Sequence, residues 1–307
     1  MEIIRLKDGL PPHPWPVVAL GNFDGVHLGH RSIVQRAIAR ARAAAGTAFV
    51  LTFYPTPAKV LAPERAPRLI LTPEDKLELL RRSGIDGVIV ADFTPELSRL
   101  APADFVREYL LGKLGARAVV VGHSVSFGHK RAGNAEVMVE LGRKMGFETE
   151  VVGPITVDGA EVSSTRIRQL IMAGELPEAA KLLGRDHFVS GTVVRGRERG
   201  RTIGFPTANI NSATECLPPD GVYATRLVLA DGAFASITNI GMRPTFAEVA
   251  RTIEAHVFDF DRDIYGAKVR LDLVERIRGE RKFDSGQALA EQIAQDLKRA
   301  REILATN

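Results

Sequence analysis

The chain has one cysteine, Cys216, among 307 residues, so no internal disulfide is available. No Cys/His cluster of the kind that holds structural zinc accompanies it. It also lacks any run of about eighteen apolar residues, the length a helix needs to cross a bilayer. Its opening Met-Glu-Ile-Ile-Arg-Leu-Lys-Asp-Gly is not the basic-then-apolar plan of a secretory leader. These absences predict a cytoplasmic protein without a membrane partner. No internal repeat or low-complexity tract occurs, and no residue pattern fixes an oligomeric state. A strong excess of either charge is lacking as well, 41 Lys and Arg against 37 Asp and Glu leaving a net +4. It comes partly from two arginine runs, Arg31, Arg36, Arg40 and Arg42, then Arg195, Arg197, Arg199 and Arg201. Without an aromatic-rich nucleic-acid module beside them, they read as solvated faces that favour anionic metabolites such as ATP. A nucleic-acid partner is not expected.

What is present is ordinary globular composition, 45% hydrophobic and 25% charged. The length exceeds the roughly 250–300 residues at which single cores stop growing, which predicts two domains. Up to about residue 185, short apolar runs at Val17 to Leu20, Ala48 to Phe53, Gly87 to Ala91 and Ala118 to Val121 alternate with helical patterns at 29–45, 73–82 and 102–114. Such alternation predicts a parallel sheet covered on both faces, with ligands beyond the carboxyl ends of its strands. Beyond Gly184-Arg185-Asp186-His187 the runs at 188–194, 221–229, 234–240, 252–260 and 268–277 are strand-like and separated by turn signals. They predict a small antiparallel barrel, followed from about Ser285 by an amphipathic helix. The expected domains are 1–185 and 186–307.

Gly-Asn-Phe-Asp-Gly-Val-His-Leu-Gly-His at 21 to 30 joins the first apolar strand to a helix. Its glycines let backbone approach a phosphate, and the helix start offers unpaired amides to an anion. His27 and His30 bracket Leu28-Gly29, so both imidazoles can face one phosphate and stabilise charge growing on its oxygens. A lone histidine there would read as a capping residue; the glycine frame and preceding strand favour the chemical reading. Further on, Ser163-Ser164-Thr165-Arg166-Ile167-Arg168 opens a helical stretch. It supplies either a plain N-cap or hydroxyls, amides and an arginine for a phosphate chain.

In the second half, Gly191, Gly196, Gly200 and Gly204 precede Phe205-Pro206-Thr207-Ala208-Asn209. No Gly-Lys-Ser/Thr follows, so this is not a P-loop, and alone it reads as a hairpin turn between barrel strands. Thr207 and Asn209 alternate on an extended segment, which would turn a hydroxyl and an amide oxygen the same way, toward a Mg²⁺ ion. Period-2 alternation puts Glu254, His256 and Phe258 on one face, where Glu254 is either a solvent-facing carboxylate or a base suited to a primary alcohol.

The string at 21 to 30, with its His-x-Gly-His core, resembles the bacterial bifunctional riboflavin kinase/FMN adenylyltransferase family, also called FAD synthetases. The Leu71-Thr-Pro-Glu-Asp-Lys76 string, the Ser-Ser-Thr-x-Ile-Arg string, the Thr-Ala-Asn segment, Glu254-x-His256 with Asp263-Ile-Tyr-Gly266, Asn239 to Phe246, Leu217 to Tyr223 and Arg281-Lys-Phe-Asp284 extend the likeness over almost the entire chain. The resemblance implies a Rossmann-like nucleotidyltransferase domain followed by a riboflavin kinase barrel. The barrel would phosphorylate riboflavin to FMN with ATP, Glu254 acting as base, Gly196 and Gly204 framing the phosphate loop, and Thr207 and Asn209 holding Mg²⁺. The first domain would adenylylate FMN to FAD and release pyrophosphate. There His27 and His30 would stabilise the transition state, and Gly21 and Gly29 would frame the nucleotide. Asn22 and Asp24 would shape the nucleotide and metal environment, while Ser164, Thr165 and Arg168 hold the triphosphate. Phe53 and Phe127, each after a strand, read as core or as flavin contacts. One departure stands out: Ser124 and Val125 occupy positions where the family usually carries an acidic or amide side chain and an aromatic. It motivates an alternative, a riboflavin kinase with weak or lost adenylyl transfer; a more distant one is a non-catalytic flavin or nucleotide sensor.

Overall fold

The computed structural model describes residues 1–6, 9–195, 205–244 and 249–306. The chain divides into two compact units, Met1–Arg68 with Pro73–Ser164, and Leu69–Thr72 with Thr165–Asn307.

The first unit is a parallel sheet of six strands: β1 (Glu2–Leu6), β2 (Val17–Leu20), β3 (Ala48–Phe53), β4 (Gly87–Ala91), β5 (Ala118–Gly122) and β6 (Glu148–Val152). The order is β1-β4-β3-β2-β5-β6, so the chain winds outward from β2 in one direction and then from β5 in the other. β2 and β3 are buried at every position, which is why they read as unbroken apolar runs. Helices α1 (Leu28–Ala43), α2 (Pro57–Leu61), α3 (Pro73–Arg82), α4 (Pro102–Phe105) and α5 (Ala135–Met145) connect them. Asn134 caps α5, its Oδ1 accepting from the Val137 amide at 2.9 Å, a contact of the kind that stabilises a helix by about 1 kcal/mol. The helix predicted over 102–114 is α-helical only to Phe105 and continues as π-helix through Val106–Lys113. A short hairpin, β7 (Thr156–Val157) and β8 (Ala160–Glu161), leads to α6 (Ser164–Ala173).

Three of the four arginines of α1 are tied to carboxylates of their own unit: Arg36 to Glu150 at 2.5 Å, Arg40 to Glu148 and Glu150, and Arg42 to Asp86 at 2.6 Å. They form an ion-paired face, in keeping with the solvated reading of that run.

In the second unit α6 and α7 (Leu176–Leu183) precede a closed antiparallel barrel. Its strands are β9 (His187–Val194), β10 (Ala208–Asn211), β11 (Gly221–Leu229), β12 (Gly232–Pro244), β13 (Val249–Val257) and β14 (Lys268–Gly279), in the order β10-β13-β12-β11-β14-β9. Val189, Val193, Ile210, Tyr223, Ile240, Ile253, Ala255 and Leu271 fill the interior. The C-terminal helix α8 (Gly286–Thr306) covers part of the outside, burying Ala300 and Ile303 against Val222, Ala224, Ile237, Phe258 and Val274. The architecture is the one expected: a parallel α/β sheet, then an antiparallel barrel with a C-terminal helix.

His187 opens β9 fully buried, donating from Nε2 to the Cys216 carbonyl at 2.9 Å. Burial pulls its pKa from 6.5 down to about 4, because the charged ring would be stripped of water. The unfolded chain therefore takes up this proton first as pH falls. The stability gained by keeping the ring neutral is complete above pH 6.5 and is lost as pH falls through about 4, amounting to about 3 kcal/mol for this one group. Thermal unfolding of His187→Gln should show a flatter decline than wild type across that window; parallel curves would remove His187 as the cause.

Candidate active sites

The strand order reverses between β2 and β5, and at such a switch point the loops leaving the sheet diverge and open a crevice. The register Ala19↔Val120 brings the ends of both strands level, so the loops starting at Gly21 and Gly122 leave the sheet side by side.

The first of these loops is a tight, strained turn. Phe23, Gly25 and Val26 have φ of 53°, 87° and 41°. Such angles cost a non-glycine residue on the order of 1–3 kcal/mol unless its surroundings fix it. Here Phe23 and Val26 are buried in the core. The turn delivers His27 to the N-cap of α1, where its Nδ1 accepts from the His30 amide at 3.3 Å. That bond leaves the proton of a neutral ring on Nε2. The His27 and His30 rings stack with centroids 3.6 Å apart, and Phe23 meets His30 edge-on at 5.3 Å. A side chain at position 29 would have its Cβ 3.2 Å from the His27 ring, so Gly29 leaves the imidazole its space. No carboxylate lies in the first turn of α1, so the positive end of that helix is uncompensated by its own residues. His27 is therefore both cap and candidate donor; the two readings of this residue are compatible.

Asp24 is 8% exposed and His27 5%. Ser164, the first residue of α6, donates from Oγ to the Asp24 carbonyl at 2.8 Å, bringing the Ser-Ser-Thr string onto the histidine loop. Thr165 and Arg168 follow on the same helix, Thr165 exposed and Arg168 half-buried. Sequence reasoning gave no role to Lys76, the last residue of the Leu71-Thr-Pro-Glu-Asp-Lys76 string. It is buried on α3, its Nζ donating to the Asn22 carbonyl at 3.2 Å and to Thr52 Oγ1 at 3.0 Å. Burial lowers its pKa to about 8, against the Asp24 carboxylate, which favours the charged form. Besides that string, the sequence signal is spacing: Lys76 and Leu80 are the buried pair of α3, four residues apart on one stripe.

The loop after β5, which carries Ser124 and Val125, is closely held by its own backbone and by Pro102. Gly128 has φ 72° and lies so close to Pro102 that a Cβ would stand 2.8 Å from it. Phe127 and Gly133 bridge by their backbones. Val125 packs on the core and Ser124 is exposed. Phe53 and Phe127 are both core residues, Phe127 against Phe105 at 5.8 Å and Phe53 against Phe93 at 5.8 Å.

In the barrel, Glu254 stands directly opposite Asn209 on β10 and Asn239 on β12. Ile253 and Ala255 point into the core, so this row of three lies on the outer face. His256, next along that face, donates from Nδ1 to the Pro206 carbonyl at 2.8 Å and meets Phe205 edge-on, fixing the segment that carries Thr207. A cavity of about 390 Å³ is walled by Val193, Pro206, Thr207, Phe260, Asp263 and Tyr265. Its described lining takes in Thr207 but neither Asn209 nor Glu254. Gly196 and Gly204 lie outside the described residues. Among the described residues no group of three or more His, Cys, Asp or Glu side chains could hold a metal ion.

A sequence profile of FAD synthetases matches residues 12–166, and one of riboflavin kinases matches residues 183–304. Two relatives, each named a bifunctional riboflavin kinase/FMN adenylyltransferase, match over nearly their full lengths. The Bacillus subtilis (strain 168) protein is 36% identical over 290 residues, covering 92% of this chain and 91% of its own. The Listeria monocytogenes protein is 39% identical over 305 residues, covering 96% of each. The chain belongs to the bifunctional riboflavin kinase/FMN adenylyltransferase family. Both motif sets of that family thus sit on folded counterparts here, the His-x-Gly-His string at a sheet switch point and the Thr-Ala-Asn segment at a barrel strand. A crystal structure from Streptococcus pneumoniae, described as a macrolide-efflux protein, is also similar, with a TM-score of 0.90 and 33% identity over 98% of this chain and 99% of that one. Among the described residues of the present chain, no helix is long and apolar enough to cross a membrane.

Proposed function

We propose that this member of the family runs two consecutive reactions in the cytoplasm, riboflavin to FMN and FMN to FAD, consuming one ATP in each. The single observation that carries the reading is the presence of both halves of the family on one chain. The domain boundary belongs near residue 185, where helical connections give way to the barrel.

In the kinase half, Glu254 takes the proton of the riboflavin 5′-hydroxyl as that oxygen attacks the ATP γ-phosphorus. The ADP oxygen leaves and FMN is formed. Asn209 and Asn239, opposite the carboxylate on either side, keep it oriented. Thr207 and Asn209 supply a hydroxyl and an amide oxygen, hard donors that fit Mg²⁺. When bound, that ion neutralises charge on the transferred phosphoryl group.

In the adenylyltransferase half, an FMN phosphate oxygen attacks the α-phosphorus of a second ATP and pyrophosphate leaves. The attacking group is already ionised, so no covalent intermediate on the protein is needed. His27 and His30 face the charge that builds on the α-phosphoryl oxygens, assisted by the amides at the start of α1. Gly21, Asn22, Asp24 and Gly29 shape the nucleotide cradle, and Ser164, Thr165 and Arg168 hold the triphosphate.

Purified protein incubated with riboflavin, ATP and Mg²⁺, followed by chromatography of the flavins, tests the reading. FAD should appear through an FMN intermediate, and chelation of the divalent cation should stop riboflavin consumption. FMN that accumulates without FAD would show that Ser124 and Val125 have cost the chain its second activity.

A further inference from the structure

Lysine is seldom buried, and Lys76 is buried with no carboxylate among the described residues hydrogen-bonded to its ammonium. The ammonium donates instead to oxygens of the first site: the Asn22 carbonyl in the loop and the Thr52 hydroxyl at the end of β3. Thr52 in turn donates to the same Asn22 carbonyl at 3.2 Å. One carbonyl oxygen is thus held by two donors from two different elements. It belongs to the residue just before the left-handed Phe23, where the turn leaves the sheet. Within the turn, the Asp24 carbonyl is held by Ser164. The backbone that swings Asp24, His27 and His30 into place is therefore pegged at two points, and Lys76 supplies one peg.

We propose that Lys76 is a positioning residue for adenylyl transfer: its ammonium pins the Asn22 carbonyl and so holds the strained turn that carries Asp24 and the two histidines. The proposal rests on reading the first unit as the adenylyltransferase. A lysine with a purely structural role would, on replacement, lower stability and both activities together, whereas in Lys76→Met the Asn22 carbonyl still accepts from Thr52 and is not left bare. A peg acts on one site only: misplacement of a catalytic group by about 1 Å costs about a hundredfold in rate.

The test uses the full chain, with FMN and ATP supplied for the second step and riboflavin and ATP for the first. Lys76→Met should keep its melting temperature and its riboflavin phosphorylation, while kcat for FAD formation falls about a hundredfold and KM for FMN and ATP stays put. Lys76→Arg, which keeps a cationic donor, should recover to within about tenfold of wild type, and Thr52→Val, which removes one donor from Asn22, should lose about tenfold. Wild-type kcat in K76M or in T52V overturns the proposal. So does a parallel loss of both activities and of melting temperature, which marks a purely structural lysine. If K76M fails to fold, T52V and K76R decide by the same criteria. Wild-type protein that makes no FAD from supplied FMN overturns the reading of the site, and the proposal with it.

Discussion

Replacing His30 by alanine is expected to lower FMN adenylylation by two to three orders of magnitude while leaving riboflavin phosphorylation intact, so that FMN accumulates. The magnitude is that of removing one preorganised donor from a developing oxyanion, about 10²–10³ in kcat. The substitution should not unfold the loop. The cap on α1 uses the backbone amide of His30 and the ring of His27, and both survive. What disappears is the ring stacked on His27 and facing the Phe23 edge. Flavin chromatography after incubation with riboflavin and ATP reads both steps in one sample. A matching fall in FMN formation would sink the assignment of His30 to one site alone.

The second large effect runs the other way. Glu254→Gln should reduce riboflavin phosphorylation by about 10²–10⁴, the usual contribution of a positioned general base, while supplied FMN is still converted to FAD. Glutamine keeps the size and hydrogen-bonding reach of the side chain between Asn209 and Asn239, so the loss isolates the proton-accepting role from packing. Mixing this variant with His30→Ala gives a sharper result. The His30 variant releases FMN, the Glu254 variant consumes it, and together they should make FAD from riboflavin although neither does so alone. No recovery in the mixture would mean that FMN does not pass freely between protein molecules.

Much of this arrangement was legible in the residues. The four central strands of the sheet are buried on both faces and read as apolar runs without ambiguity. The two strands that went unread, β1 and β6, are its two edges. An edge strand exposes much of its surface, and Glu2 to Leu6 and Glu148 to Val152 accordingly mix charge with aliphatic residues until neither period shows. The continuous helix expected over 102–114 failed for another reason: a shift from α to π hydrogen bonding leaves the apolar spacing almost unchanged. At the sites, the glycine loop and its histidines announced themselves because chemistry and spacing coincide over ten contiguous residues. Asn239 opposite Glu254 needed strand register, and Lys76 beneath Asn22 needed a tertiary contact across 54 positions. Local pattern carries neither.

The bond from Ser164 to the Asp24 carbonyl spans 140 positions, nearly the whole first unit. During synthesis the histidine turn emerges early, yet this anchor arrives only when residue 164 has left the ribosome. A nascent chain halted before that point holds the two imidazoles on a turn with one of its fastenings missing. Completion of the first unit and fastening of its histidine turn are therefore the same event, and a chain truncated before residue 164 lacks this anchor.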